Sequence, residues 1–240
     1  MKFQSTLLLS ALCLASAAVL SERQGFQPAI QTVPSTLNVP GAKRIKTRTG
    51  PYTLPSTTEK NLQSRLMGVS GMIDVIGVTP KPCTSGCTIL AIQGDLEYAN
   101  GTRALTSDGS WLHHSVMFAQ GPGRGNAACN TGLDAFFSTG NERNPAFYAD
   151  TNASVIDTGY HVQATDRFQL YSELMNMDPI RKEVYMVLYY DVVPTTPAMT
   201  KQALSLWIQL HQCGRPDITP GNLNLMQQSL KQVFTESTAP

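Results

Sequence analysis

Thr88-Ile-Leu-Ala-Ile-Gln-Gly-Asp-Leu-Glu-Tyr98 is the stretch that decides the fold class. Leu90, Ile92 and Leu96 alternate with smaller or polar residues, which is the period of two expected of a half-buried strand. Runs of similar type recur on both sides, at Gly71 to Val78, Ser110 to Ala119, Ala153 to Gln163, Arg167 to Asn176 and Glu183 to Val193. Between them lie Thr79-Pro-Lys-Pro, Asn100-Gly, Asp108-Gly and Gly121-Pro-Gly-Arg-Gly, all with the chemistry of turns. Short strands punctuated in this way predict an all-β protein, a jelly-roll β-sandwich.

The flanks read differently. Met1-Lys2-Phe3, the apolar run Leu7 to Leu14 and the small residues Ala15-Ser16-Ala17-Ala18 have the order of a cleavable secretory signal over 1–18, too short to span a bilayer. Residues 21 to 57 carry Pro28, Pro34, Pro40, Pro51 and Pro55 with little apolar periodicity, so 19–64 is expected to be an extended arm. Its basic cluster, Lys43 to Arg48, is expected to be a solvated linker rather than a processing or polyanion site. The folded domain is placed at 65–214. Leu204 to Leu210 is strand-like, and Leu223, Met226, Leu230, Val233 and Phe234 have near-helical spacing, which predicts a short helix in a tail at 215–240.

No later run reaches the roughly 20 apolar residues of a membrane span, and a net charge of +1 gives no footprint for nucleic acid. With the cleavable signal at 1–18, the expected location is extracellular. Beyond the signal the chain holds Cys83, Cys87, Cys129 and Cys213. In an oxidising compartment they suggest two disulfides, with three connectivities open. The turn at Ser85-Gly86 makes a Cys83–Cys87 bridge feasible and would leave Cys129 for Cys213. Asn100-Gly-Thr and Asn152-Ala-Ser match the glycosylation acceptor pattern.

Chemistry is concentrated in Trp111-Leu-His-His-Ser-Val-Met-Phe118, which places two of the four histidines side by side in an apolar strand. Imidazole is the commonest protein ligand for copper and zinc. Successive side chains of a regular strand point to opposite faces, so His113 and His114 share one metal only at a strand end or a bulge, or through different ring nitrogens. His161, His211 and Met175 are the candidate third ligands. Against this stands a structural pair, one ring buried and the other solvated.

Leu90 to Gly101, the His-His strand, Ser138-Thr-Gly-Asn-Glu-Arg143, Thr158-Gly-Tyr, Asp166-Arg-Phe and Glu173-Leu-Met-Asn together resemble a group of secreted fungal proteins. That group is related to the copper type II, ascorbate-dependent monooxygenases, of which peptidylglycine α-hydroxylating monooxygenase and dopamine β-hydroxylase are typical. The resemblance covers residues 65 to 214 and implies one jelly-roll domain of a kind present twice in those enzymes. There a His-His pair and a distant histidine hold one copper, and a second domain holds another through His-x-His and a methionine. Where the distant histidine would fall, this chain has Leu170-Tyr-Ser-Glu173. Either His161 substitutes, or the site has two histidines and a weaker ligand. No His-x-His occurs, and the resemblance stops near Arg215.

These features imply a secreted copper-binding protein without autonomous hydroxylase activity, working with a secreted enzyme partner or a small-molecule substrate. The alternatives are a metal-free sandwich that binds glycan, cell wall or a partner protein, and a monooxygenase-like enzyme with an unconventional or shortened site. An aromatic strip drawn from Trp111, Tyr160, Tyr189 and Trp207 would favour the glycan reading.

Overall fold

The computed structural model describes residues 29–125, 132–197, 199 and 201–205. The signal region, Cys129, Cys213, Trp207, His211 and the C-terminal tail lie outside the described residues. Eleven strands follow in order: β1 Ile30–Val33, β2 Lys43–Leu54, β3 Met72–Thr79, β4 Cys87–Glu97, β5 Ser110–Gln120, β6 Leu133–Gly140, β7 Ala146–Phe147, β8 Thr158–Val162, β9 Arg167–Asn176, β10 Lys182–Val193 and β11 Lys201–Gln202. One short helix, α1 Leu62–Met67, precedes β3. No helix among the described residues is long and apolar enough to cross a membrane.

The strands form two sheets, ordered β1-β2-β10-β4-β8-β11 and β3-β9-β5-β6, with β7 paired to β4. Setting aside β1, β7 and β11, the order is that of a jelly roll: the chain moves from sheet to sheet at almost every connection, and the eight remaining strands pair antiparallel. The inner faces meet in one core around Ile92, Leu96, Leu112, Met117, Phe168, Leu174 and Leu188, each at most 1% exposed.

The extended-arm expectation for 19–64 is corrected by β2. This strand pairs with β10 from Lys43 to Leu54 and is an interior strand of the larger sheet, with Leu54 wholly buried. Pro51 is tolerated because the β2–β10 register shifts between Thr49 and Tyr52, leaving it unpaired on that side, and β1 reaches only as far as Thr47 on the other. Apart from the exposed Lys43, the basic cluster is not a solvated linker. Lys46 and Arg48 are buried, and the Lys46 ammonium lies 2.7 Å from the Glu97 carboxylate. Arg44 pairs with Asp191 at 2.6 Å, and Arg48 stacks 3.4 Å from the Tyr185 ring centroid. Charges neutralised by the adjacent strands lie on an outer face that hydropathy reads as water-facing.

The alternation in β4 is also interrupted. A register shift opposite Asp191 and Val192 leaves Leu90 unpaired in the β4–β10 ladder, and Leu90 packs with Val193 and Met199 in a second, smaller cluster. Ile92 and Leu96 remain in the main core. β6, which no sequence run anticipated, forms the edge of the four-stranded sheet beside β5.

Candidate metal centre

The strand geometry that places the histidines is specific. β5 pairs with β9 in continuous register except at one point: Leu112 faces Leu174 and His114 faces Glu173, consecutive residues on β9, so His113 is an extra residue in β5. This is a β-bulge. Before it, Leu112 points into the core. After it, Ser115 and Met117 do so, at 1% and 0% exposure. With the added residue, His113 and His114 both project from the outer face, their side chains 36% and 60% exposed. The bulge meets the condition that the sequence imposed on adjacent histidines.

The rings converge. Their centroids lie 4.1 Å apart and their Nδ1 atoms 2.8 Å apart. Glu173 projects from β9 on the same face, with Oε2 at 3.0 Å from His113 Nδ1 and 3.5 Å from His114 Nδ1. Three lone-pair atoms meeting this closely need either a shared proton or a cation. Donors about 2.0 to 2.1 Å from one ion, at tetrahedral to right-angle spacing, are about 2.9 to 3.4 Å from each other. The observed separations are near these values. One further contact fixes the carboxylate: the Tyr171 hydroxyl donates to Glu173 Oε1 at 2.7 Å. Partial burial opposes ionisation of Glu173, but the hydrogen bonds from Tyr171 and His113 and the charge of the two imidazoles outweigh it and hold the carboxyl below its usual range.

Among the described residues, His113, His114 and Glu173 form the one group of three or more His, Cys, Asp or Glu side chains arranged to hold a metal. His161 is not in it. It lies on β8, in the other sheet, opposite Thr88. Its Nε2 is buried without a hydrogen-bond partner, and burial, aided by the Arg124 charge, pushes its pKa down. The third position thus falls to Glu173, on the segment where the resemblance places the distant histidine. The legible signal was the alternation of Tyr171 and Glu173 on one face of β9. Met175 lies on the same face two residues on, paired with Trp111.

The charged side chains of the motifs Ser138 to Arg143 and Asp166-Arg-Phe lie outside this cluster. Asp166 takes the Arg124 guanidinium in a buried pair, Arg143 pairs with Asp95 at 2.6 Å, and Glu142 accepts from the Gly140 amide. Arg167 is exposed. Trp111 lies on one sheet, Tyr189 on the other and Tyr160 in the core, so these described aromatics make no strip. Cys83 and Cys87 form a disulfide. Asn100 and Asn152 are exposed, each in a turn.

Fold and site together describe an all-β jelly-roll domain with a two-histidine, one-carboxylate cluster on one outer sheet face. Comparison with known proteins gives two relatives. The chain is 28% identical over 177 residues, 74% of its length, to a protein of Phoma sp. named probable copper-dependent oxygenase M1, of which it covers 43%. Over 131 residues, 55% of its length, it is 28% identical to one of Cochliobolus lunatus named probable copper-dependent oxygenase clz3, covering 42% of that protein. The chain therefore spans less than half the length of each, and the likeness is a partial match to a copper monooxygenase-like group. No family model and no solved structure matches.

Proposed function

We propose that this domain is a secreted copper-binding unit holding one ion on His113, His114 and Glu173. The observation that carries the reading is the bulge that turns both imidazoles toward a carboxylate on the neighbouring strand. Two imidazole nitrogens and a carboxylate oxygen suit copper in its divalent state, and the names of both relatives favour copper over the zinc, nickel or iron that such donors also accept. Bound copper would supply one-electron chemistry. The residues of this chain bind and orient it: the bulge sets the rings, Tyr171 turns the carboxylate, and the exposed outer face leaves the ion approachable.

A hydroxylase of the kind the resemblance implies uses two coppers, so this unit alone is expected to bind copper without hydroxylating a C–H bond. The Cys83–Cys87 disulfide and the exposed acceptor sites at Asn100 and Asn152 support an extracellular setting. Copper stoichiometry tests the proposal, comparing the wild type with His113→Ala/His114→Ala. One tightly bound ion that the double variant loses is the expected result. Equal, weak binding by both proteins would sink the copper reading.

A further inference from the structure

The donor set also bears on oxidation state, an inference that rests on the copper reading above. A domain that stores and passes an electron must hold Cu(I) and Cu(II) with comparable ease. Soft sulfur and neutral imidazole donors favour Cu(I), whereas hard anionic oxygen favours the higher charge. Here the third donor is a carboxylate. Asp74 pairs directly with Glu173 across β3 and β9, adding a second acidic residue on the same rung. Negative charge beside an ion lowers the energy of the doubly charged form more than that of the singly charged one.

Glu173 is also prevented from turning freely. Tyr171 donates to Oε1 at 2.7 Å, which leaves Oε2 directed at the two rings. The same hydroxyl stands 3.5 Å from Asp74 Oδ1, beyond ordinary hydrogen-bond reach, so its one proton goes to Glu173. A partner that engages one oxygen of a ligating carboxylate sets which oxygen the metal meets, and removing such a partner typically weakens metal binding about 10- to 100-fold. The soft alternative is Met175. Its register pairs it with Trp111 and Met72, one outward position beyond the Glu173 rung.

We propose that the site is selective for Cu(II) over Cu(I), with Glu173 as the selecting ligand and Tyr171 as a positioning residue that presents a single carboxylate oxygen.

The test measures Cu(II) and Cu(I) affinities of the full chain by competition with chelators specific for each ion, together with the Cu(II) electron paramagnetic resonance spectrum. The wild type is expected to hold Cu(II) at least about tenfold more tightly relative to Cu(I) than Glu173→His does, each tenfold change in that ratio raising the potential by about 59 mV. Tyr171→Phe is expected to lose about tenfold in Cu(II) affinity and to change the spectrum while its melting temperature stays near that of the wild type. Met175→Leu should alter neither affinity. A ratio that is the same in the wild type and Glu173→His, or a Met175→Leu variant that loses Cu(I), overturns the selectivity while leaving the copper site intact. Failure to bind either ion overturns both readings.

Discussion

Deletion of His113 probes the bulge directly, and because the two histidines are adjacent the same sequence results whichever is removed. β9 already offers consecutive residues, Leu174 and Glu173, opposite Leu112 and His114. Removing the extra residue therefore closes β5 into regular alternation: Leu112 in, His114 out, Ser115 in, Met117 in. The ladder to β6 begins at His114 and is untouched. No buried apolar side chain changes face, so the cost should stay within about 1 kcal/mol, or about 4 °C in melting temperature for a domain of this size. Deletion of Ser172 in β9 is the contrast. β9 pairs with β3 without a break from Phe168 to Met175, so no slack exists there. Either Leu174 or Phe168 with Leu170 must turn outward, all three at most 2% exposed, and expelling one leucine costs about 2 to 5 kcal/mol. Calorimetry ranks the two deletions, and copper titration follows the first, which should lose at least about tenfold in affinity with one ligand gone. A His113 deletion that unfolds like the Ser172 deletion refutes the account of the bulge. One that folds and retains full copper affinity refutes the need for both rings.

Other perturbations test the frame around the site. Asp95→Ala leaves the Arg143 guanidinium, 5% exposed, without its carboxylate; a loss of about 3 to 5 kcal/mol in denaturant unfolding is expected, partly restored by Arg143→Met. Gly71→Ala should destabilise by more than about 3 kcal/mol: the backbone has φ +76°, and a Cβ would come within 2.1 Å of the Asn176 carbonyl oxygen. Cys83→Ala/Cys87→Ala opens a small loop with a sequence separation of 4, so chain entropy alone predicts a loss of about 2 kcal/mol, measurable by thermal melting in oxidising buffer. The Arg181 hydrogen bonds, and then the Ser56 amide, hold Glu59 down from 4.5 to about 2. A depressed carboxyl stabilises the fold above its unfolded value, so this contribution is complete above about pH 4.5 and disappears as pH falls toward 2. Acid titration of stability should be shallower in Arg181→Ala; the pair is exposed and the effect small.

Local pattern made several elements legible. Ser110 to Ala119 and Arg167 to Asn176 match β5 and β9 almost residue for residue, because each has one wet and one dry face and so carries a period of two, unbroken along β9 and interrupted in β5 only by the extra His113. Lys43–Leu54 was hidden for the opposite reason. Its outward cations are covered by carboxylates of β4 and β10, and its proline lies where the neighbouring strand has ended. Thr158–Val162 begins later than the run from Ala153 suggested, since residues 151 to 155 are turn and bend, with Asp150 accepting from the Asn152 amide.

The site divides in the same way. Sequence by itself established the all-β class, the adjacency of His113 and His114, and the condition that a bulge or strand end must bring them together, since these follow from residue order and the pleat of a single strand. Tertiary structure decided which of the open possibilities holds. The bulge exists only as a mismatch between β5 and β9, two strands whose pairing is non-local. Glu173 rather than His161 completes the cluster because the jelly-roll order sets β9 beside β5 and assigns β8 to the other sheet, an arrangement fixed by the packing of two faces around one core.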